Sequence, residues 1–426
     1  MPQCGITNFI YGSECIGDSL VKINDNFSSL ESYVCDLSSS TINVTDTSMV
    51  SLSYNNISRN LQSYINDRSL TNYKLAFDEG NYGFRNKLIN GSFDFWQRGS
   101  SFVGITGPAL IFTADRWGVL AGGPTGSATV TVKQEPFNAI APSSQFAGSN
   151  PEFYNPKYFL SYSITNPGTS NVWPRLFQRI ENVKTLAGRK VTVSFYAYVT
   201  SPVQVKTFFK QFITTSPSPT TTTSSSITQT LQPGSWKKYE YVITLPTSPT
   251  SNPTASYNYL SNEDYLELCI DIDNNASSTV FFSSIQVEAG TRATAFEIRP
   301  YEIELKLCQR FYEKSYEVDV SPGTNSKIGA QILVHGTTTA GVKLISQFQT
   351  TKRITPGVGH VKFYHPTTGN FNSSSPNLAN TSTDGNIVLD SVYTSSRQLV
   401  AQFAGTSTPA VNSMSTWHYA IDVEYI

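Results

Sequence analysis

Hydrophobic positions near the start of the chain repeat with helical spacing. The apolar series Leu20, Ile23, Phe27, Leu30, Val34 and Leu37 alternates spacings of three and four residues, as a heptad pattern does. Asp18 and Ser19 occupy the N-cap position, and the run Ser38-Ser39-Ser40 ends the segment. Because so short a helix is marginal alone, we predict that residues 1–40 form a helical segment that docks onto a larger assembly.

Residues 48–68 fit two patterns. Val50, Tyr54, Ile57, Leu61 and Tyr64 continue a heptad. The strict alternation of Val50, Leu52 and Tyr54 with serines, followed by Asn55-Asn56 as a turn, favours a β-hairpin instead. A lone hairpin cannot bury its faces in water. We therefore predict that residues 41–85 form a hairpin shaft that wraps with identical copies into a homotrimer.

From residue 86 onward the alternation of a β protein dominates. Strands are predicted at residues 190–200, 236–245, 265–272 and 279–288, and Val191, Val193, Phe195 and Ala197 share one face of the first. A Thr/Ser/Pro tract at residues 214–226 predicts an exposed loop. Short strands separated by turn residues indicate a jelly-roll β-sandwich over residues 86–300.

Arg299-Pro300 ends this pattern. Residues 302–312 predict a short amphipathic helix, with Ile303, Leu307 and Phe311 at spacing four, inside a helical linker at residues 301–320. Residues 321–426 return to strands, predicted at 327–334, 340–348, 360–364, 387–392 and 417–425. The predicted fold class is mainly β: a helix and hairpin shaft, a jelly-roll, a linking helix and a smaller C-terminal sandwich.

Charge and composition exclude several classes of protein. The formal net charge is -1 and there is no Lys/Arg run, so we expect no nucleic-acid partner. No apolar run approaches the ~18 residues of a membrane span, and no signal peptide is recognised, so we expect no membrane insertion. The cysteines at 4, 15, 35, 269 and 308 are odd in number and lack Cys-x-x-Cys spacing, which indicates reduced thiols with no metal or cofactor.

Several stretches resemble a known family. Residues 86–99 read NKLINGSFDFWQRG and residues 113–117 read TADRW; residues 285–290 read IQVEAG and residues 307–312 read LCQRFY. They resemble the opening and the ending of a module of bacteriophage tail-fibre proteins. Residues 50–70 are similar to a hairpin repeat of phage fibre shafts, and residues 361–366 (VKFYHP) and 417–419 (WHY) loosely resemble fibre tip sandwiches.

The module over residues 86–300 also resembles carbohydrate-binding jelly-rolls of the family 4/9 type. The pair Asn90-Gly91 before an aromatic and the strand ending in Glu288 fit that plan. The resemblance implies a structural calcium held by acids of the first and last strands. Asp94 matches the first position, but Ser283 and Ser284 stand where acids are usual. Because hard cations need several oxygen ligands, we expect no metal here.

Catalytic patterns are weak. Asp271 and Asp273 lie two apart on a predicted strand, but they precede Asn274-Asn275, and a polar strand end before a turn explains them. There is no Gly-x-Ser-x-Gly elbow, His-Glu-x-x-His pair or phosphate loop. We therefore expect no enzymatic activity and no catalytic residues.

Sugar-binding sites combine exposed aromatic rings with polar side chains. The candidate residues are Trp173 (beside Pro174-Arg175), Tyr154, Tyr364, His365 and His418. Each also fits a packed core or interface aromatic, since such residues are common in both settings. Trp96 and Trp117 belong to the motif segments and are predicted to lie in the core.

The sequence thus predicts a structural fibre or adhesin subunit of a phage virion, such as a tail fibre. We expect it to attach reversibly to a host surface glycan and to bind other virion proteins through its N-terminus. One alternative is a purely structural capsid-, neck- or baseplate-attached fibre that binds other virion proteins. Another is a polysaccharide depolymerase, which would need two converging carboxylates in a cleft.

Overall fold

The computed structural model describes residues 51–54, 57–60, 84–123, 126–137, 156–168, 173–213, 220–247, 263–273, 277–334, 342–366, 369, 377–380, 386–404 and 414–425. The predicted heptad helix of residues 20–37 lies outside these residues. The chain divides into two compact units, Met1–Gly80 and Asn81–Ile426.

The first unit contains a two-stranded antiparallel sheet. Strand β1 (Ser51–Tyr54) pairs with β2 (Ile57–Asn60), and Tyr54 lies opposite Ile57. The antiparallel pairing of β1 with β2 agrees with the predicted hairpin. Association into a trimer stays a prediction.

The second unit opens with a β-sandwich made of two antiparallel sheets. The seven-stranded sheet contains β4 (Leu110–Phe112), β5 (Trp117–Leu120), β10 (Arg175–Glu181), β12 (Val203–Ile213), β13 (Thr220–Thr223), β14 (Ile227–Leu231) and β16 (Tyr265–Ile272). The six-stranded sheet contains β3 (Ser101–Ile105), β8 (Thr129–Pro136), β9 (Tyr158–Asn166), β11 (Lys190–Val199), β15 (Lys237–Thr244) and β17 (Ser278–Ala289). A small ribbon pairs β6 (Gly122–Gly123) with β7 (Gly126–Ser127).

One hydrophobic core joins the two sheets. Alternate residues of β16 (Leu266, Leu268, Ile270 and Ile272) and of β11 (Val191, Val193, Phe195 and Ala197) belong to it and are almost completely buried. Burial of one face of each sheet is what period-two alternation dictates. The four strands predicted in this module, and the core positions of Trp96 and Trp117, are confirmed.

The opening motif of the module is a structural hub. Asn90 adopts φ 58°, and its side chain holds this left-handed turn by accepting from Phe95 N and donating to the Phe95 and Asp115 carbonyls. At Gly91 an added Cβ would lie 2.2 Å from the Ile285 carbonyl oxygen, so only glycine fits. The motif therefore fixes the first segment of the module against β17.

The Thr/Ser/Pro tract is only partly as predicted. Thr220–Thr223 forms β13, which pairs with the end of β12 at an edge of the seven-stranded sheet. Threonine is a good strand former, and an edge strand with an exposed face has no need of apolar residues. The loop interpretation was therefore wrong for these four residues; residues 214–219 lie outside the described part.

Helix α1 (Tyr301–Gln309) follows Pro300, as predicted, but it buries another face. Ile303 is 40% exposed, whereas Glu304, Leu305 and Cys308 are buried. Glu304 accepts hydrogen bonds from Asn90 N and the Arg299 guanidinium. Those bonds allow a carboxylate to face inward, which a hydrophobic pattern cannot reveal.

The C-terminal region forms an eight-stranded antiparallel arrangement centred on its last strand. Its strands are β18 (Tyr312–Lys314), β19 (Gln331–Val334), β20 (Val342–Gln347), β21 (Val361–Tyr364), β22 (Asn377–Asn380), β23 (Asn386–Thr394), β24 (Gln398–Ala404) and β25 (Met414–Asp422). Strand β25 pairs with β18 and β21 in one half and with β19 and β22 in the other. Phe348, Phe363, Leu399, Trp417 and Ile421 are among its core residues. The predicted fold class, mainly β with sandwich-like domains, is confirmed.

Buried charges join the C-terminal sandwich to the jelly-roll. The Arg98 guanidinium donates to Asp422 at 3.2 and 3.0 Å and lies 3.8 Å from Asp115. Arg116 pairs with Glu424, with both side chains 1% exposed, and stacks 3.3 Å from the centre of the Phe311 ring. Breaking a buried pair leaves an uncompensated charge, so these contacts hold the end of the chain in one position.

We predict that Glu424→Gln lowers the free energy of unfolding by about 3–5 kcal/mol, because the buried Arg116 charge loses its partner. Guanidinium denaturation followed by tryptophan fluorescence measures this change. The control Glu317→Gln, at an exposed position, should change stability by less than about 0.5 kcal/mol. Equal effects of the two substitutions would contradict this role of the pair.

Candidate functional site

The outer face of the seven-stranded sheet carries an unusual set of side chains. Every second residue of three neighbouring strands points away from the core: Arg175, Phe177, Arg179 and Glu181 of β10; Tyr265, Glu267, Cys269 and Asp271 of β16; and Lys206, Phe208, Lys210 and Phe212 of β12. We call these residues the outer face. They mix aromatic rings with charges of both signs.

Register brings opposite charges together on the outer face. Arg175 lies opposite Asp271, and Arg179 lies opposite Glu267. The Arg175 guanidinium donates Nε to Asp271 Oδ1 at 2.6 Å and a terminal nitrogen to Oδ2 at 3.0 Å, which is a planar two-bond pair. Arg179 Nε donates to Glu267 Oε2 at 2.7 Å. A ladder of arginine–carboxylate pairs therefore crosses two strands.

Burial and pairing act in opposite directions on these groups. Burial alone would lower the pKa of Arg175, but the hydrogen bond to Asp271 and the nearby acids raise it above its ordinary value. Burial raises the pKa of the Cys269 thiol well above its ordinary value, and this thiol lies 3.2 Å from Glu267 Oε1. Because burial favours the protonated thiol, Cys269 is unreactive.

Aromatic rings lie beneath and beside the ladder. The Arg175 guanidinium is 5.1 Å from the centre of the Phe208 ring, and Lys206 Nζ is 5.5 Å from the same ring. Phe212 and Tyr265 stack in parallel, with ring centres 4.9 Å apart. Both of these rings are half-buried, so they leave apolar surface for a ring-shaped ligand.

The C-terminal residues cover one end of the outer face. The Tyr425 ring packs on Tyr265 with centres 5.0 Å apart, and the Tyr425 carbonyl accepts from the Arg179 guanidinium. Arg353 stacks on the other part of Tyr425 at 4.0 Å. The end of the face that carries Arg175, Asp271 and Lys206 is not in these contacts.

Trp173 is the sequence-predicted site residue that lies at this face. It directly precedes β10, two positions before Arg175, and the ladder continues there because Ile272 N donates to the Pro174 carbonyl. By strand alternation Trp173 shares the side of Arg175, and it is half-buried. Strand alternation therefore places Trp173 on the side of the sheet that carries the Arg175–Asp271 pair. Tyr154 lies outside the described residues.

The other predicted residues lie in the C-terminal sandwich, away from this ladder. His418 is 0% exposed and stacks on Tyr316 with ring centres 3.6 Å apart. Its Nε2 lies 2.9 Å from the Ser326 carbonyl oxygen and its Nδ1 lies 2.9 Å from Ser315 Oγ, so Nε2 carries the proton. The sequence predicts that His418 contacts a sugar from an exposed position. That position is wrong, because the ring is enclosed and both ring nitrogens are engaged in hydrogen bonds.

Tyr364 and His365 keep their status as predictions. Tyr364 is half-buried and contacts Tyr316 edge-on at 6.0 Å, while His365 is 6% exposed. Contact of Tyr364 or His365 with a sugar stays a prediction.

Sequence reasoning did not identify Asp271, Lys206, Phe208 and Phe212 as site residues. Asp271 is the last residue but one of β16, which agrees with a polar strand end, and it also pairs with Arg175. A pattern in the sequence could have identified the strand that carries Lys206. Polar and apolar residues alternate over residues 203–206, which is typical of a strand with one polar face.

Asp94, the acid at the first calcium position that the resemblance implied, and Glu288 both accept hydrogen bonds from protein donors. Glu288 accepts from Thr294 N at 2.7 Å, from Thr294 Oγ1 at 2.8 Å and from Gln286 Nε2 at 2.9 Å. Asp94 accepts from Ser92 Oγ at 2.6 Å. Among the described residues no group of three His, Cys, Asp or Glu side chains could hold a metal ion. Within the same residues, no helix is long and apolar enough to span a membrane.

Comparison with known proteins gives no family. No family model matches the chain, and no curated protein matches it. Solved structures with some likeness include an enzymatically active domain of tailspike protein 4 of bacteriophage CBA120, at 13% identity and TM-score 0.28. That match covers 48% of this chain and 22% of the tailspike chain, so this chain spans only about a fifth of that protein.

Carbohydrate-binding modules are also among the similar structures. TmCBM61, in complex with beta-1,4-galactotriose, has 14% identity and TM-score 0.26 over 48% of this chain and 99% of its own. The CBM22-1 xylan-binding domain of Paenibacillus barcinonensis Xyn10C has 10% identity and TM-score 0.24 over 46% and 99%. Sequence identities and TM-scores this low establish no shared function.

Burial lowers the pKa of His418, only partly offset by its bond to the Ser326 carbonyl. The unfolded chain then binds a proton near pH 6.5 more readily than the folded one. Stability contributed by neutral His418 is present above that pH and is lost as the pH falls through and below it. We predict that His418→Gln removes part of the loss of stability between about pH 7.5 and about pH 5.5.

Urea denaturation at each pH measures this dependence, and the matched variant His360→Gln should keep the wild-type profile because His418 is intact. An unchanged profile in the His418 variant would show that other groups cause the dependence.

Proposed function

We propose that the chain is a non-catalytic, glycan-binding subunit of a phage fibre, and that the outer face of the seven-stranded sheet contacts the glycan. The observation that carries the proposal is the Arg175–Asp271 pair at the end of this face away from Tyr425, where Trp173 is half-buried and Asp271 is 7% exposed. A paired carboxylate keeps free lone pairs, and a guanidinium keeps free N–H groups, for neighbouring sugar hydroxyls. The half-buried aromatic rings supply the apolar contact that a sugar ring needs.

The pairing also argues for binding rather than hydrolysis. Glycoside hydrolysis needs two carboxyl groups at about 5–10 Å, one of them able to donate a proton. On the outer face Asp271 and Glu267 each lie against an arginine, at 2.6 and 2.7 Å. Because each carboxylate is held against a guanidinium, neither is placed to protonate a leaving group.

The virion assignment rests on the resemblance of residues 86–99 and 307–312 to a phage fibre module. In the proposed arrangement residues 1–40 attach to other virion proteins, and the hairpin of β1 and β2 holds three chains together. Three copies of a weak face bind a repetitive polysaccharide with high avidity. A purely structural fibre, whose sandwich faces contact other virion proteins, is the alternative.

Binding of the labelled full-length chain to bacterial cells and to purified surface polysaccharides tests the glycan proposal. We predict saturable binding that weakens about tenfold or more in Trp173→Ala, since loss of a central aromatic contact costs about 1.4 kcal/mol or more. The matched variant Tyr393→Ala, which removes an aromatic side chain 59% exposed on β23, should bind as the wild type does. Equal binding by the two variants would exclude this face. Reducing ends released in parallel would favour a depolymerase instead.

Light scattering tests the assembly. The full-length chain should have the mass of a trimer, because an isolated hairpin is at best marginally stable in water. A chain that starts at residue 84 should be a monomer. A monomeric mass for the full-length chain would contradict the fibre arrangement.

A further inference from the structure

A lysine and a glutamate meet inside the C-terminal sandwich. Glu313 lies on β18 and Lys352 follows β20, and both side chains are 0% exposed. Lys352 Nζ is 2.5 Å from Glu313 Oε2. Burial of two full charges is costly even when they are paired. Desolvation lowers the pKa of Lys352, against the pull of Glu313 in the other direction, so burial favours the neutral amine more than water does.

We propose that Glu313 and Lys352 condense in the folded protein to an amide cross-link. The Nζ–Cδ bond forms and the Cδ–Oε2 bond breaks. Oε2 leaves as water with two of the three ammonium protons, and the third stays on the amide nitrogen. Carboxylate and ammonium thus give a neutral amide and water, with no oxidant, reductant or further reactant.

Hydrogen-bond donors lie where this reaction would develop negative charge. The Tyr419 hydroxyl donates to Glu313 Oε1 at 3.0 Å, and the Gln349 backbone N–H lies 3.1 Å from each carboxylate oxygen. Attack by Nζ on Cδ places negative charge on the oxygen that is retained, which is Oε1. Fixed donors at that oxygen stabilise such an intermediate.

The product retains a partner for each polar atom. The remaining amide N–H keeps the Gln309 carbonyl, to which Lys352 Nζ already donates. The amide oxygen keeps Tyr419 and Gln349. The cross-link therefore removes two buried charges and leaves no new unsatisfied group.

Confinement favours the forward reaction. The backbone of Lys352 is anchored to the Ser396 carbonyl at 2.7 Å, and the Phe348 ring lies 5.0 Å from Nζ. Two reactants held in contact react as one molecule, with effective molarities of about 10⁵ M or more in favourable cases. Arg310, whose charge also lowers the pKa of Lys352, is the neighbouring cation that promotes loss of its proton.

Mass spectrometry of the denatured wild-type protein tests the cross-link. We expect the intact mass to lie below the sequence mass by one water, and a protease digest to contain a branched peptide that joins Glu313 to Lys352. The control Lys352→Arg keeps the positive charge but carries no amine, and it should have the full mass. In Glu313→Gln the same attack would expel ammonia, so the deficit should change from water to ammonia.

A wild-type protein of full mass with only linear peptides around both residues, in fresh and in stored samples, would overturn the proposal. That result would identify the pair as an ion pair alone. It would leave glycan binding at the outer face unaffected, because the two sites share no residue.

Discussion

The pairing of Arg98 and Arg116 with Asp422 and Glu424 is the interaction on which the second unit depends. Both arginines belong to the opening segments of the jelly-roll, and both acids belong to the end of the chain. Because an unpaired charge in this buried place would be costly, the two ends of the unit are held together. The fibre-like motif of residues 86–117 is therefore architectural: its polar side chains fasten one sandwich to the other.

This junction also decides how the candidate site is exposed. The chain that follows β25 carries Tyr425 onto Tyr265, where it covers one end of the outer face. The opposite end keeps Arg175, Asp271 and the half-buried Trp173. In the proposed function the glycan contacts that end, because Tyr425 covers Tyr265 at the other end.

The residue pattern predicted β11, β16 and β17 and one core face of β11, although both faces of these three strands are largely buried. Strand β12 was not predicted, because Phe208-Phe209 places apolar residues on both faces and Thr207 is a buried polar residue. The inward face of α1 depends on Glu304, which only its bonds to Asn90 and Arg299 make tolerable. The candidate site is harder still: Arg175, Asp271 and Lys206 meet only through strand register, which single-strand patterns do not contain.

Hydrogen–deuterium exchange of the full-length chain, with and without a surface polysaccharide that it binds, tests the glycan-binding face most directly. We predict that the polysaccharide slows exchange in residues 173–181, 203–213 and 265–272 and leaves exchange in the six-stranded sheet unchanged. Protection confined to the C-terminal sandwich, or to the six-stranded sheet, would contradict it.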